Sequence, residues 1–188
     1  MNWPIVPELC GFTNPDTYDF YKGNKTVDEV RAEYNILPID ELWIILTYPS
    51  AQEQQIIGWA KCFRIKLRFF SCKDVSDFKS MEEISKMREL IYRTVFHAAY
   101  KTTQTQGKLY LSLAGGRKTM SADMQEAASL FGCSAILHVV DFGNIPHNMD
   151  TVLMDISQVG SCSQSFLPII ISSNLQPSLI VTKTDSVQ

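Results

Sequence analysis

The sequence predicts an α/β domain, with a parallel sheet, helices on both faces of that sheet, and a β-rich C-terminal extension. Strand-like apolar runs alternate with helical patterns between residues 41 and 142. Three consecutive strand–helix units of this kind imply parallel strands that are joined by right-handed crossovers. The first run, residues 41–47 (ELWIILT), is apolar along its length, which is typical of a strand buried on both faces.

The elements that follow this strand alternate in the same way. A helix is predicted over residues 50–61. The clearest helix is predicted over residues 80–100, where Ser80 and Glu83 form a capping box and apolar residues recur at steps of three and four. The remaining elements of this region are strands over 65–71, 109–113 and 135–142 and a helix over 121–131, which ends before Gly132.

The two ends of the chain are less regular. Two prolines make residues 3–12 a poor central strand, so we expect at most a short, irregular first strand there. Residues 18–34 are mostly helical in character. The runs 166–172 and 179–182 are β-rich and predict a hairpin or an added sheet edge.

Length and charge set the class of protein. The chain has 188 residues, which suits one domain, here residues 1–182, followed by a polar tail or the start of a linker at residues 183–188. The net charge of −3 argues against a protein that grips long nucleic acid through bulk electrostatics. No run approaches the ~18 apolar residues of a membrane span, and residues 1–8 do not look like a signal peptide.

The cysteines and histidines indicate neither disulfides nor a metal site. The number of cysteines, five, is odd, and no C-x-x-C occurs. A reduced, cytoplasmic setting is therefore expected. The three histidines keep no ligand spacing with the cysteines, so no metal and no cofactor are predicted.

Residues 112–121 (SLAGGRKTMS) carry the strongest functional signal. They join a predicted strand to a predicted helix, which is the geometry that holds a phosphate on helix N–H groups. Gly115 and Gly116 let the backbone come close to a ligand, and Arg117 and Lys118 add full charges. The segment is not a Walker A loop, because Arg117 separates Gly116 from Lys118 and the upstream glycine is missing.

The same residues carry a resemblance to a known family. The run LSLAGGRKTMS at 111–121, the following helix that ends in Leu-Phe-Gly at 130–132, and Ile-Leu-His-Val at 136–139 resemble the CARF domains, the CRISPR-associated Rossmann-fold sensors of type III CRISPR systems. The likeness is to the subgroup with the motif SxAGGRKTM. Residues 40–47 look like the second strand of that subgroup, and residues 11–15 (GFTNP) are similar to the loop after its first strand.

The resemblance implies a Rossmann-like sheet and a homodimer that binds a cyclic oligoadenylate, a ring of four or six adenylates, across its two-fold axis. The ring size stays open. Tyr48 would stack on an adenine. By the same resemblance, the ligand-binding residues would be Thr13, Asn14, Thr47, Tyr48, Ser112, Gly115, Gly116, Arg117, Lys118, Thr119 and Met120.

Two functions follow from the resemblance. The first, which we favour, is a sensor whose ring binding controls an attached or associated effector, such as a fused C-terminal domain. The second is a metal-independent ring nuclease, in which the ribose 2′-OH attacks the adjacent phosphate and leaves a 2′,3′-cyclic phosphate. Lys118 or Arg117 would stabilise the transition state, and Thr13 or Asn14 would orient the 2′-OH.

Each of these residues also has a purely structural interpretation. The Gly-Gly-Arg-Lys turn would then be a tight turn with solvated charges, and Thr13-Asn14 an ordinary Asx-turn. Thr47 and Tyr48 would serve packing. The basic residues Arg64, Lys66 and Arg68 are interpreted as a solvated strand face, and a Rossmann-type enzyme acting on a mononucleotide is a third, weaker alternative.

Overall fold

The computed structural model describes residues 5–15, 23, 25–47, 53–62, 64–73, 75, 78–114, 116–141 and 166–178. Helices and strands alternate through this part of the chain. They are α1 (Ile5–Thr13), α2 (Lys25–Glu33), β1 (Glu41–Thr47), α3 (Glu53–Cys62), β2 (Lys66–Cys72), α4 (Met81–Thr105), β3 (Tyr110–Ser112), α5 (Lys118–Phe131), β4 (Cys133–Asp141) and β5 (Phe166–Leu175).

The described strands form two small sheets. β1 pairs with β2 in parallel, from Glu41 opposite Lys66 to Thr47 opposite Cys72. β3 pairs with β4 in parallel, and β5 adds to β4 in the antiparallel sense, with a register shift between Ile136 and Leu137. The fold is therefore mixed α/β. The predicted parallel pairing is confirmed within each of the two β-α-β units, and so is the added edge at the C-terminal side.

The helices pack on both sides of the strands. On β1, Ile44 and Leu46 contact α1 and α3, whereas Ile45 lies on the opposite side with α4 and α5. On β4, Ile136 faces the α4–α5 side, and Ala135 and Leu137 pack with Phe12, Val27 and Ile36 near α1 and α2. Because the side chains of a strand alternate between its faces, both strands are buried on two sides.

The N-terminal segment differs from the sequence prediction. Residues 5–13 form the helix α1 instead of an irregular strand. Pro7 lies in the first turn, where backbone N–H groups have no acceptor within the helix, so the N–H group that proline lacks is not needed. Val6 and Cys10, four residues apart, point to the same side and pack into the core beside β1.

The bounds of the other helices also shift. α4 runs on to Thr105 and ends at Gln106, whose backbone is left-handed and donates to the Thr102 carbonyl. α5 begins at Lys118, ahead of the predicted start at residue 121. The predictions for residues 50–52, 179–182 and 183–188 lie outside the described residues.

The predicted capping box of α4 is present. Ser80 has extended backbone angles, its Oγ accepts from the Glu83 N–H at 3.1 Å, and the Glu83 carboxylate accepts from the Lys79 N–H at 2.9 Å. The Ser80 contact satisfies an N–H group that the first helical turn leaves unpaired, and the Glu83 contact holds the residue that precedes the N-cap.

We expect Ser80→Ala to lower the free energy of unfolding by about 1 kcal/mol, because the N-cap hydrogen bond is lost. Chemical denaturation measures the change. Ser85→Ala is the matched control, since Ser85 lies exposed inside the same helix and should cost nothing. Equal effects of the two substitutions would contradict a capping role for Ser80.

The described helices include none that is both long and apolar enough to cross a membrane.

Candidate functional site

The loop between β3 and α5 is held at both ends by hydrogen bonds between residues that are close in the sequence. Ser112 Oγ accepts from the Ala114 N–H at 3.1 Å, and Ser121 Oγ donates to the Leu113 carbonyl at 3.0 Å. Between them, Gly116 has a φ of +78°, and a Cβ at this position would lie 3.1 Å from Met120 Sδ. This backbone path therefore requires glycine.

The first turn of α5 carries backbone donors that the side chain of its N-cap residue does not cap. Arg117 is the N-cap, with extended backbone angles, and makes no side-chain capping bond. The first intrahelical bond joins Ser121 N to Arg117 O at 3.2 Å, which leaves the N–H groups of Lys118, Thr119 and Met120 without a helical partner. With the positive end of the helix dipole, these groups favour an anion at the loop.

The charged side chains of this turn are accessible. Arg117, Lys118 and Thr119 are all exposed. Among the residues that the structure describes, no carboxylate forms an ion pair with Lys118. An anion that docks on the first turn of α5 would thus meet a full positive charge as well as the backbone donors.

A cavity of about 850 Å³ separates β1 from β3. α1 forms one wall of the cavity and α4 the opposite wall, and the volume suits a small ligand. Several of the predicted site residues line it although they lie far apart in the sequence: Thr47, Ser112, Gly116, Arg117 and Met120 towards the carboxyl ends of the strands, and Thr13 near the amino end of β1.

The connectivity of the strands explains where this cavity lies. From β1 the chain continues through α3 to β2, and from β3 it continues through α5 to β4, so the two units extend in opposite directions from the cavity. The segment before β1 contacts the amino end of β3, since the Leu37 N–H donates to Tyr110 Oη at 2.8 Å. The carboxyl ends therefore share the other side, the place where open α/β sheets bind ligands.

Thr13 and Asn14 are largely buried, with exposed fractions of 2% and 8%. Thr13 Oγ1 contacts Asn14 Oδ1 at 2.7 Å and donates to backbone carbonyls of α1. The Asn14 amide pairs with both backbone groups of Ile39, at 2.8 and 2.9 Å. In this arrangement the two side chains fix the end of α1 to the segment that precedes β1.

The other predicted site residues are placed as follows. Lys118 and Thr119 lie on the first turn of α5, next to the cavity-lining Arg117. Tyr48 and Gly115 lie outside the described residues.

A cluster of charges at the amino end of the cavity was missed by the sequence analysis. Glu41 accepts hydrogen bonds from Arg68 Nε at 2.6 Å, from Trp43 Nε1 at 2.7 Å and from Lys101 Nζ. Arg68 and Lys101 also lie over the Trp43 ring, at 5.7 and 5.8 Å from its centroid. Arg68 is thus not simply a solvated charge. Lys101 stands 60 positions from Glu41 in the sequence, a separation at which local patterns carry no signal.

The partners of Glu41 also set its protonation. Partial burial disfavours the charged carboxylate, but the hydrogen bonds from Lys101, Trp43 and Arg68 outweigh it and lower the Glu41 pKa to about 2. A carboxyl group whose pKa is lower in the folded than in the unfolded state stabilises the fold at pH values above its ordinary pKa. That contribution to stability is lost as the pH falls through the pKa of the folded state.

We expect Glu41→Gln to lower the free energy of unfolding at pH 7 by about 1–3 kcal/mol, because charge-assisted hydrogen bonds are lost. The variant should also flatten the stability profile between pH 4.5 and 2, the window set by the shifted pKa. Urea denaturation over this pH range measures both effects. Glu82→Gln, which removes an exposed ion-pair partner of Lys86, is the control. If its pH dependence of stability were as flat as that of Glu41→Gln, the role of Glu41 would be contradicted.

The described residues hold no group of three or more His, Cys, Asp or Glu side chains that could bind a metal ion. Three of the cysteines, Cys10, Cys72 and Cys133, are free thiols. Burial raises the pKa of Cys133 to about 11 and also raises that of Cys10, so both stay protonated near neutral pH.

A protein-family model described as CRISPR-associated protein NE0113 matches residues 63–156, which is half of the chain. The matched region contains α4, β3, the loop with Gly116 and Arg117, α5 and β4. No curated protein matches the chain. The CRISPR association that the sequence predicts is confirmed by this match. The chain belongs to the family of the CRISPR-associated protein NE0113.

Proposed function

We propose that this chain is a sensor domain that binds a cyclic oligoadenylate of four or six adenylates and thereby controls an attached or associated CRISPR effector. One observation carries the proposal. The glycine turn and Arg117 line the carboxyl end of the cavity between β1 and β3, and the first turn of α5, which begins at Lys118, follows directly. The family membership supports the CRISPR setting.

The chemistry of this arrangement suits phosphodiester groups. Each 3′–5′ linkage carries one negative charge and accepts hydrogen bonds on two oxygens. In the proposal, the N–H groups of Lys118 and Thr119 contact one linkage, and the Arg117 and Lys118 side chains neutralise it. A local site of this kind works in a protein whose net charge is −3, because a small ligand meets only the nearby charges.

The symmetry of the ligand supports a homodimer. A ring of four or six identical units has a two-fold axis, whereas one chain supplies one such loop. Two copies related by a two-fold axis would present two identical loops to opposite linkages of the ring. The proposed stoichiometry is therefore one ring for two chains.

The parallel units on either side of the cavity support the Rossmann-like interpretation of the fold. Ligands of such sheets bind outside the carboxyl ends of the strands, where the strand order reverses. Thr47 ends β1 on this side and Ser112 ends β3 on the same side. We assign both, with Gly116, Arg117, Lys118, Thr119 and Met120, to the proposed ligand site, whereas Thr13 lines the cavity near the amino end of β1.

The test is calorimetric titration of the purified chain with cyclic tetra-adenylate and cyclic hexa-adenylate, with AMP as the mononucleotide control. Chromatography of the same samples, kept in a metal chelator, detects cleavage. Submicromolar binding of one ring without turnover supports the sensor. Linear products with a 2′,3′-cyclic phosphate would assign the ring nuclease function instead, and absence of binding at micromolar concentrations would contradict both.

A further inference from the structure

The acidic residues of α5 lie behind its exposed first turn. The helix carries two of them, Asp123 and Glu126, and neither is in that turn. Together with Thr119 they have the spacing i, i+4, i+7, so the three side chains lie on one stripe of the helix surface. Along the helix axis, Asp123 is about 6 Å and Glu126 about 10 Å from Thr119. An anion on the first turn of α5 would therefore be repelled by both carboxylates.

One residue of α4 bridges these two carboxylates. Arg88 Nη2 donates to Glu126 Oε2 at 2.8 Å, and Arg88 Nε lies 3.7 Å from Asp123 Oδ1. Among the residues that the structure describes, no other cation forms an ion pair with either carboxylate. The guanidinium group of Arg88 is therefore the charge that opposes both acids of α5.

The guanidinium group is held in this place by an aromatic neighbour. Tyr92 Oη accepts from Arg88 Nε at 3.2 Å and from Arg88 Nη2 at 3.0 Å, and the guanidinium carbon lies 5.3 Å from the centroid of the Tyr92 ring. The Tyr92 ring in turn meets the Phe131 ring of α5 edge-on, with centroids 6.2 Å apart. These contacts fix the position of the Arg88 charge between α4 and α5.

We propose that Arg88 is a positioning residue for the ligand site, which acts through Asp123 and Glu126 and cancels their repulsion of an anion on the first turn of α5. The proposal rests on the proposed function, because the anion it refers to is a phosphodiester group of the ring. Exposed ion pairs contribute little to folding stability. At low ionic strength, however, the charge that such a pair cancels would act on an ion bound 10 Å or so away.

The first test compares two arginines of the same helix. Arg88→Gln removes the cation that faces α5, whereas Arg93→Gln removes an exposed cation that pairs with Glu89 inside α4. Titration calorimetry with cyclic tetra-adenylate and cyclic hexa-adenylate measures the affinities. We expect Arg88→Gln to weaken binding about threefold in ~20 mM salt and hardly at all in ~500 mM salt, because salt screens the repulsion. The control should bind as the unmodified chain does, and an equal loss in both variants would overturn the proposal.

A rescue experiment separates this electrostatic role from a structural one. Adding Asp123→Asn and Glu126→Gln to Arg88→Gln removes the two negative charges without rebuilding the bridge between the helices. We expect the triple variant to regain the affinity of the unmodified chain or to exceed it. A loss that persists in the triple variant, or one that is as large in high salt, would overturn the proposal, since Arg88 would then act by holding the helices together.

A measurement without nucleotide keeps this inference distinct from the proposed function. In a Thr119→His chain, NMR titration of the introduced imidazole reports the charge near the first turn of α5. Arg88→Gln should raise the pKa of this imidazole, and the two neutral replacements at Asp123 and Glu126 should lower it again. An unchanged pKa would overturn the role of Arg88 even if a ring binds. The expected pKa changes in a chain that binds neither ring would contradict the proposed function alone.

Discussion

Replacing Arg117 and Lys118 together by alanine is expected to weaken binding of cyclic tetra- or hexa-adenylate by about 10²- to 10⁴-fold. Both side chains are exposed at the start of α5. A charge-assisted hydrogen bond to a phosphate contributes about 1.5–3 kcal/mol, which is about 10- to 150-fold in affinity for each contact. Titration calorimetry of the double variant against the unmodified chain measures the loss.

A matched control separates this local effect from a general loss of positive charge. Lys61→Ala removes one exposed cation, half the charge that the double variant removes, and Lys61 lies in the last turn of α3, which leads to the amino end of β2. This end of the sheet is opposite the proposed site, so Lys61→Ala should change the affinity less than twofold at moderate ionic strength. Similar losses in both variants would show that the ring is attracted by overall charge. Unchanged affinity in the double variant would remove the α5 loop from the ligand site.

Ile136→Ala is expected to lower the free energy of unfolding by about 2–5 kcal/mol. Ile136 is 2% exposed and lies in β4, where its side chain packs with α4 and α5. Its truncation removes buried apolar surface and leaves a cavity beside helices that cannot fully close around it. Equilibrium denaturation in urea measures the change as a lower midpoint concentration of urea, with the dependence of the free energy on urea concentration unaltered.

The control for this substitution lies on the neighbouring strand. Ile171 in β5 is 46% exposed, so Ile171→Ala should lower the free energy of unfolding by less than about 1 kcal/mol. Comparable losses at the two positions would mean that Ile136 does not lie in the core that joins β4 to α4 and α5. A reduced slope in Ile136→Ala would instead show that two-state unfolding has been lost.

Local patterns were enough to predict most of the fold. The capping box at Ser80 and the apolar spacing behind it predict α4, and the apolar runs predict β1, β2, β3 and β4. The glycine turn before α5 was also predictable, because strand, glycines and helix follow one another in the sequence. The positive φ of Gly116 agrees with the predicted glycine turn.

Contacts between distant parts of the chain were not predictable. The Glu41 cluster depends on Lys101, and the burial of Asn14 depends on Ile39, a residue 25 positions away. The two prolines in residues 3–12 made the local pattern of the N-terminal segment ambiguous, and packing of Val6 and Cys10 against the core decides in favour of α1. Local sequence propensity is weaker than such tertiary contacts.

Native mass spectrometry of the chain mixed with cyclic tetra-adenylate or with cyclic hexa-adenylate tests the proposed shared site most directly. We expect a species that contains two chains and one ring, and we expect it to be lost when Arg117 and Lys118 are both replaced by alanine. Single chains that each carry a ring, or dimers that carry two, would contradict a ring held between two α5 loops.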